Sequence, residues 1–127
     1  MEYYYVTSIR KSVQIITNMS HEKYQSCIDE CLACAIECQH CASGCLNEKD
    51  IAMLARCIKL DQDCSALCFL AARLMASGSE FAKQICSLCA IVCDACAAEC
   101  EKHTHMEHCK QCADACRRCA EACRKMA

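Results

Sequence analysis

The sequence predicts an all-α protein: an antiparallel, up-down-up-down four-helix bundle preceded by a short extra helix. Three observations carry that expectation. The 127 residues hold no proline and only two glycines, Gly44 and Gly78, among many good helix formers. Cysteine recurs at intervals of three and four, the repeat of a helix face turned toward a core. Polar or glycine-bearing breaks divide the chain into segments of helix length.

Each element follows in order. Residues 1–19, "MEYYYVTSIRKSVQIITNM", place Ile9, Val13 and Ile16 at helical spacing. They predict a short separate helix covering one end of the bundle, which itself occupies residues 20–127. The first bundle helix is expected over 21–46, with Ser20 as N-cap and Glu22 in its first turn. "NEKD" at 47–50 is a polar break, and Asp50 is placed to cap a second helix over 51–77. "SGS" at 77–79 puts Gly78 just past that helix and Ser79 at the next N-cap, opening a third over 80–103. "THME" at 104–107 matches a capping box, with Thr104 as cap and Glu107 three later, ahead of a fourth helix over 105–126. Loops this short force antiparallel neighbours. One end of the bundle then holds the 47–50 and 101–106 connections. The other holds the 77–79 turn, the C-terminus and the N-terminal segment.

Charge and hydropathy narrow the function. The formal net charge of −2 gives no electrostatic case for nucleic acid or an anionic membrane surface. No 18-residue apolar run is present, so no transmembrane helix is expected. The opening residues lack a basic leader followed by an apolar stretch and a small-residue cleavage site. A cytosolic location, where thiols stay reduced, is the expectation.

That matters because the chain holds 19 cysteines, about 15% of its residues. They fall in four blocks. The first, "CIDECLACAIECQHCASGC", carries Cys27, Cys31, Cys34, Cys38, Cys41 and Cys45. The second carries Cys57, Cys64 and Cys68. The third carries Cys86, Cys89, Cys93, Cys96 and Cys100. The fourth carries Cys109, Cys112, Cys116, Cys119 and Cys123. In helices one, three and four every central inward position is Cys. Helix two is mixed: its seam reads Cys57, Asp61, Cys64, Cys68, Ala71, Met75.

A free cysteine is often only a small buried hydrophobe. For 19 that reading fails, since a thiol core gives up burial energy that Leu or Ile would supply at ~0.8 kcal/mol per CH₂. Disulfides between neighbours on one helix are poorly oriented for the near-90° torsion. Zinc takes discrete groups of four ligands, and the sequence shows a continuous ladder. Iron–sulfur spacings do not occur. Cu(I) fits best: it is soft, thiolates select it, and one thiolate per Cu⁺ is neutral in a dry core.

The ladder "CIDECLACAIECQHCASGC", with "CSLCAIVCDACAAEC" and "CKQCADACRRCAEAC", closely resembles the bacterial copper storage proteins, in particular their cytosolic branch. The resemblance covers about residues 20–127. It implies a cysteine-lined four-helix bundle, a homotetramer and reversible loading with many Cu(I) ions.

Extending the ladders beyond the cysteines gives further candidates. His103 lies three after Cys100 and His105 four before Cys109, both in the inward phase. With Met53 at the start of helix two they are expected to line a mouth at the end holding the 47–50 and 101–106 connections. Met106 and His108 lie at the same end, His108 off the ladder phase. His21 and His40 read as surface residues. Asp61 is either a metal ligand or is rotated outward with Leu60 turned in. Tyr24, Met75 and Met126 are expected to seal the far end. Leu60, Leu67, Leu70 and Leu74, and Phe81, Ile85, Leu88 and Val92, form second apolar stripes that point to oligomerisation through helices two and three.

The function expected is Cu(I) storage and buffering by a binding protein and not an enzyme, since no triad, phosphate loop or acid pair is present. Two alternatives stay open on the residues alone. One is broad thiolate detoxification of Zn(II) or Cd(II) in the manner of metallothioneins. The other is a thiol redox sink, which would need exposed thiols of low pKa.

Overall fold

The structure is a computed structural model that describes the backbone of residues 2–127 and the side chains of residues 22–127. Four helices account for nearly all of it: α1 (Glu2–Leu46), α2 (Ala55–Ala76), α3 (Ala82–Cys100) and α4 (Glu107–Met126). No strand occurs among the described residues. Short 3₁₀ turns at Ile51–Leu54 and Glu101–His103 lead into α2 and out of α3. No described helix is long and apolar enough to cross a membrane.

The expected separate N-terminal helix is replaced by continuous α1, which runs 45 residues without a break. Residues 2–20 contain neither proline nor glycine, so nothing in the local sequence stops a helix there. Ser20 therefore lies within α1 and is not an N-cap. The expected cover over the bundle end concerns side chains outside the described residues.

The helix ends show which signals worked. Gly78 has φ 67°, the left-handed region that costs an L-residue ~1–2 kcal/mol. The Ser79 N–H donates to Leu74 O at 2.9 Å and the Gly78 N–H to Met75 O at 3.2 Å, the double bond of a Schellman close. The Ser79 hydroxyl accepts the Phe81 N–H at 3.1 Å, just before α3 begins. Two other expected caps do not form. Asp50 precedes the first 3₁₀ turn without a side-chain cap bond. α4 starts at Glu107 after an extended Met106, so Thr104 lies too far upstream for a capping box, and Glu107 accepts from Gln111 instead. The cause is the 101–103 turn, which prolongs the end of α3 and consumes the residues assigned to the new helix.

α1 packs on α2 and α4, and α3 packs on the same two helices, so α1 faces α3 across the centre. The inward face is sulfur, and all 19 cysteines are buried. The contacts between neighbouring helices are made by small residues: Ala35, Ala72, Ala90, Ala97, Ala113 and Ala120 are all buried. Ser65 joins them by donating to Ala35 O at 3.1 Å, while Gln39 donates to Ser65 Oγ at 3.0 Å. Small contact residues let the helices approach closely enough for the thiols to meet. Larger side chains close the ends. Tyr24, Ile28 and Met75 are buried at the 77–79 end with Met126 half-buried, as the apolar seal predicted, and Leu54 is buried at the other.

Outside, Arg117 clasps α3 to α4. It donates to Glu101 at 2.6 and 3.2 Å and to Asp94 at 3.0 Å, and Arg124 reaches Asp94 at 2.6 Å. Arg117 holds Glu101 below the usual carboxylate range. Such exposed pairs add little each, so the fold rests on its buried seam and its apolar ends.

Neutral thiols are small hydrophobes, and the close at Gly78, the alanine contacts and the end plugs need no metal. The reduced, metal-free protein should therefore be fully helical by circular dichroism, with little gain in helicity on adding Cu(I). A coil that folds only with metal would contradict this account.

Candidate metal centre

The seam is a column of sulfur. α1, α3 and α4 each contribute a thiol every three or four residues, α2 contributes Cys57, Cys64 and Cys68, and the bundle brings the four rows together. Near the 77–79 end, Cys123 Sγ lies 3.7 Å from Cys27 and 3.6 Å from Cys31. In the middle, Cys68 Sγ lies 3.6 Å from Cys89 and 3.7 Å from Cys119, and Cys34 Sγ lies 3.6 Å from Cys116. Beyond them Cys64 meets Cys93, and nearer the opposite end Cys57 meets Cys100, each pair at 3.5 Å. None of these is a disulfide, whose sulfurs would stand ~2.05 Å apart.

Groups of four donors arise from this packing that the sequence alone did not reveal. Cys34, Cys64, Cys68 and Cys93 form one, Cys34, Cys38, Cys64 and Cys116 another, and Cys38, Cys96, Cys112 and Cys116 a third. Within each the ligand atoms lie inside 4.8 Å of one another. The groups share members, so they are overlapping windows on one ladder and not separate tetrahedral sites.

One carboxylate interrupts the sulfur. Asp61 is fully buried on the inward face of α2, while Leu60 sits half-buried beside it. Its Oδ1 accepts from Cys96 at 3.2 Å, Cys112 at 3.3 Å and Cys100 at 3.9 Å, and Cys57 approaches Oδ2 at 4.0 Å. Burial, the largest cause, and then the charge of the neighbouring Cys112, Cys96 and Cys57 push its carboxyl pKa up to about 11. In the metal-free core Asp61 is therefore a protonated acid.

The end holding the 47–50 and 101–106 connections is the polar one. Here Cys41, Cys45, Cys109 and His108 form a four-donor group. His108 Nδ1 lies 3.5 Å from Cys109 Sγ, 3.7 Å from Cys41 and 4.0 Å from Cys45. Burial is the largest cause raising Cys45 and Cys109, the latter to about 11, so both stay protonated thiols at neutral pH until a metal arrives. His103 is buried beside Glu99, 3.9 Å from its Oε2, and Glu99 also draws Arg56 at 3.6 Å and Lys102 at 3.4 Å. His105 is exposed, its ring 6.4 Å from that of His103. Met53, 56% exposed, lines a surface depression with His105 and Met106.

A family model described as "Copper storage protein" matches residues 20–127. The chain belongs to the copper storage protein family. Its relatives agree. A cysteine-rich protein of Bacillus subtilis strain 168, described as uncharacterized, is 48% identical over 93 residues, covering 72% of this chain and 85% of its own. A solved Cu(I)-bound copper storage protein, BsCsp3, is 47% identical, covers 81% of this chain and 96% of its own, and superposes with a TM-score of 0.78. A cytosolic copper storage protein from Streptomyces lividans, solved with five coppers, is 38% identical, covers 86% of this chain and 95% of its own, and has a TM-score of 0.80.

For this family member the seam expected from the sequence is present in full, but the mouth differs from expectation. His105 was expected to continue the α4 ladder. Helical phase begins only at Glu107, so His105 has no ladder to continue and faces solvent. His103 is inward enough to be buried, yet its close partner is Glu99 and not a thiol. His108, placed off the ladder by sequence, is the histidine that meets the sulfurs. The overlooked signal was its position four residues before Cys112, one helical turn back along the same face. Gly44, a glycine inside an otherwise unbroken ladder, was a second signal of close approach.

Asp61 gives a testable pH dependence. A carboxyl whose pKa rises from 3.8 unfolded to about 11 folded adds stability that is complete below pH about 4 and is lost as pH climbs toward the folded value. Urea titrations of the metal-free protein between about pH 5 and pH 8 should show stability falling with pH. Asp61→Asn, which keeps the shape without the titration, should flatten that slope. Parallel curves for the two proteins would show that Asp61 ionises without penalty.

Proposed function

We infer that this protein stores and buffers Cu(I), holding many cuprous ions on the thiolates of the bundle core. The observation that carries the reading is the overlap of the sulfur groups. Neighbouring thiols stand 3.5–4.0 Å apart along the core, and Cys34, Cys38, Cys64 and Cys116 each belong to more than one group of four. A core of shared ligands suits a metal that accepts two or three bridging thiolates. The family match and the copper-loaded relatives support the same reading.

Charge decides against the alternative of zinc or cadmium filling the core. A divalent ion on four thiolates carries two excess negative charges, and several of these in one dry interior would be prohibitive. Each Cu(I) displaces one thiol proton and leaves the pair neutral, so the core can fill without accumulating charge. The redox-sink alternative needs accessible thiolates, and every thiol here is buried.

The residues proposed to hold metal are the 19 cysteines, with Asp61 inside the ladder and His108 at the mouth. His103, His105 and Met53 stand at the same end and are proposed to guide ions toward Cys41, Cys45 and Cys109. Close packing between the helices disfavours passage across them, so ions are proposed to travel along the bundle axis. The 77–79 end is closed by Tyr24 and Met75, which favours the His108 end as the route in.

The protein is a binding protein and no enzyme in this reading, working in the cytosol like its Streptomyces lividans relative. It self-associates, to a tetramer by the family resemblance. Ile36 on α1, Phe69 and Leu70 on α2, and Leu88 and Ile91 on α3 are exposed apolar side chains that a partner copy would cover.

Anaerobic titration of the reduced protein with Cu(I), against a strong chelator, tests the reading. Uptake should approach one ion per cysteine, on the order of the cysteine count, and Cu(I) should displace Zn(II) and Cd(II). Saturation at four or five ions per chain would instead favour discrete clusters of the zinc type.

A further inference from the structure

Two residues outside the sulfur column stand against His108. Its Nε2 lies 3.2 Å from Glu48 Oε1, across the mouth from the α1–α2 connection. A carboxylate only accepts hydrogen bonds, so this contact calls for the proton on Nε2. In the neutral ring Nδ1 then carries the lone pair, and Nδ1 is the atom that faces Cys41, Cys45 and Cys109. Glu48 is set in place by the tight turn that ends α1, where the Glu48 N–H donates to Cys45 O at 3.2 Å and the Asn47 N–H to Gly44 O at 3.1 Å.

Gly44 supplies the space. A Cβ at that position would stand 2.8 Å from both Cγ and Cδ2 of the His108 ring and 3.1 Å from Nδ1. Carbon atoms do not approach that closely, so any side chain at 44 would drive the ring away from the thiols. Gly44 carries a helical backbone with φ in the ordinary range, so its freedom of rotation is not what the site uses. A helix interior otherwise disfavours glycine. The local cost is accepted where the ring must lie flat against α1.

We propose that Glu48 and Gly44 are positioning residues for copper transfer: they hold His108 with an unprotonated Nδ1 aimed into the outermost thiol group. This rests on the storage reading above. Its chemical consequence is specific. A thiol must lose a proton to bind Cu(I), whereas an Nδ1 lone pair already free of hydrogen binds without that step. His108 so held is the first donor ready to accept an ion before Cys41, Cys45 and Cys109 are deprotonated. The carboxylate behind the imidazole raises its donor strength, as in the carboxylate–histidine–metal arrangements of other metal sites.

The experiment has a metal-free and a metal-dependent arm. Long-range ¹⁵N NMR of the reduced metal-free protein at alkaline pH should find His108 with hydrogen on Nε2 and none on Nδ1. Glu48→Leu should mix the tautomers, and Glu48→Gln, which keeps an acceptor oxygen, should restore the wild-type spectrum. Transfer of Cu(I) from a coloured chelator complex should slow about tenfold in Glu48→Leu and recover in Glu48→Gln, with total uptake unchanged in both. Gly44→Ala should displace the His108 ring signals and slow transfer similarly, although alanine is the better helix former and helicity should not fall. Hydrogen on Nδ1 in the wild type, or wild-type transfer rates in both Glu48→Leu and Gly44→Ala, would overturn the proposal. A wild-type protein that takes up few Cu(I) ions would overturn the storage reading instead, and the tautomer measurement would still decide the roles of Glu48 and Gly44.

Discussion

The distance between sulfurs governs this structure. Thiols 3.5–4.0 Å apart on different helices require those helices to pack closely, because a cysteine side chain is short. Close approach in turn requires that nothing large stand between the helices. Alanine occupies those contacts on α1, α2, α3 and α4, with Ser65 bonded back to α1 where it replaces one. The cysteine row and its alanine flanks are thus one device: the first supplies the ligands and the second lets them meet. Bulk is confined to the ends, where Tyr24, Ile28 and Met75 close one side and Leu54 fills the other.

The same constraint shapes the electrostatics. An interior without water holds charge only when each charge is balanced locally. In the metal-free core Asp61 meets this by staying protonated. In the storage reading proposed above, the loaded core would meet it by exchanging one thiol proton for each monovalent ion. Charge is then restricted to the mouth and the outer faces. Glu99 is surrounded by Arg56, Lys102 and His103, Glu48 by His108, and the α3–α4 face by the Arg117 and Arg124 pairs. The polar end gathers the titratable side chains, and the apolar end is filled by Tyr24, Ile28 and Met75.

The sequence by itself determined the helices, their antiparallel order and the inward thiol seam. Each of these depends on residues close together in the chain: the three-and-four spacing of cysteine, the absence of proline, and the glycine at 78 that ends α2. Local signals failed where two elements compete for the same residues. Thr104 and Glu107 have the spacing of a capping box, but the turn after α3 extends to His103 and leaves α4 to begin at Glu107. Ser20 has the chemistry of an N-cap, but no breaker precedes it and α1 runs through. The tertiary structure alone decided the mouth and the interior carboxylate. His108 reaches Cys41, Cys45 and Glu48 from 60 or more residues away, and only the packing of α4 against the bare Cα of Gly44 allows it. Asp61 faces in and Leu60 aside because α2 must present one continuous face to three other sulfur rows. Periodicity fixes which side of a helix is inward; which donors meet there depends on the phase of every helix against its neighbours, and no single stretch of sequence contains that.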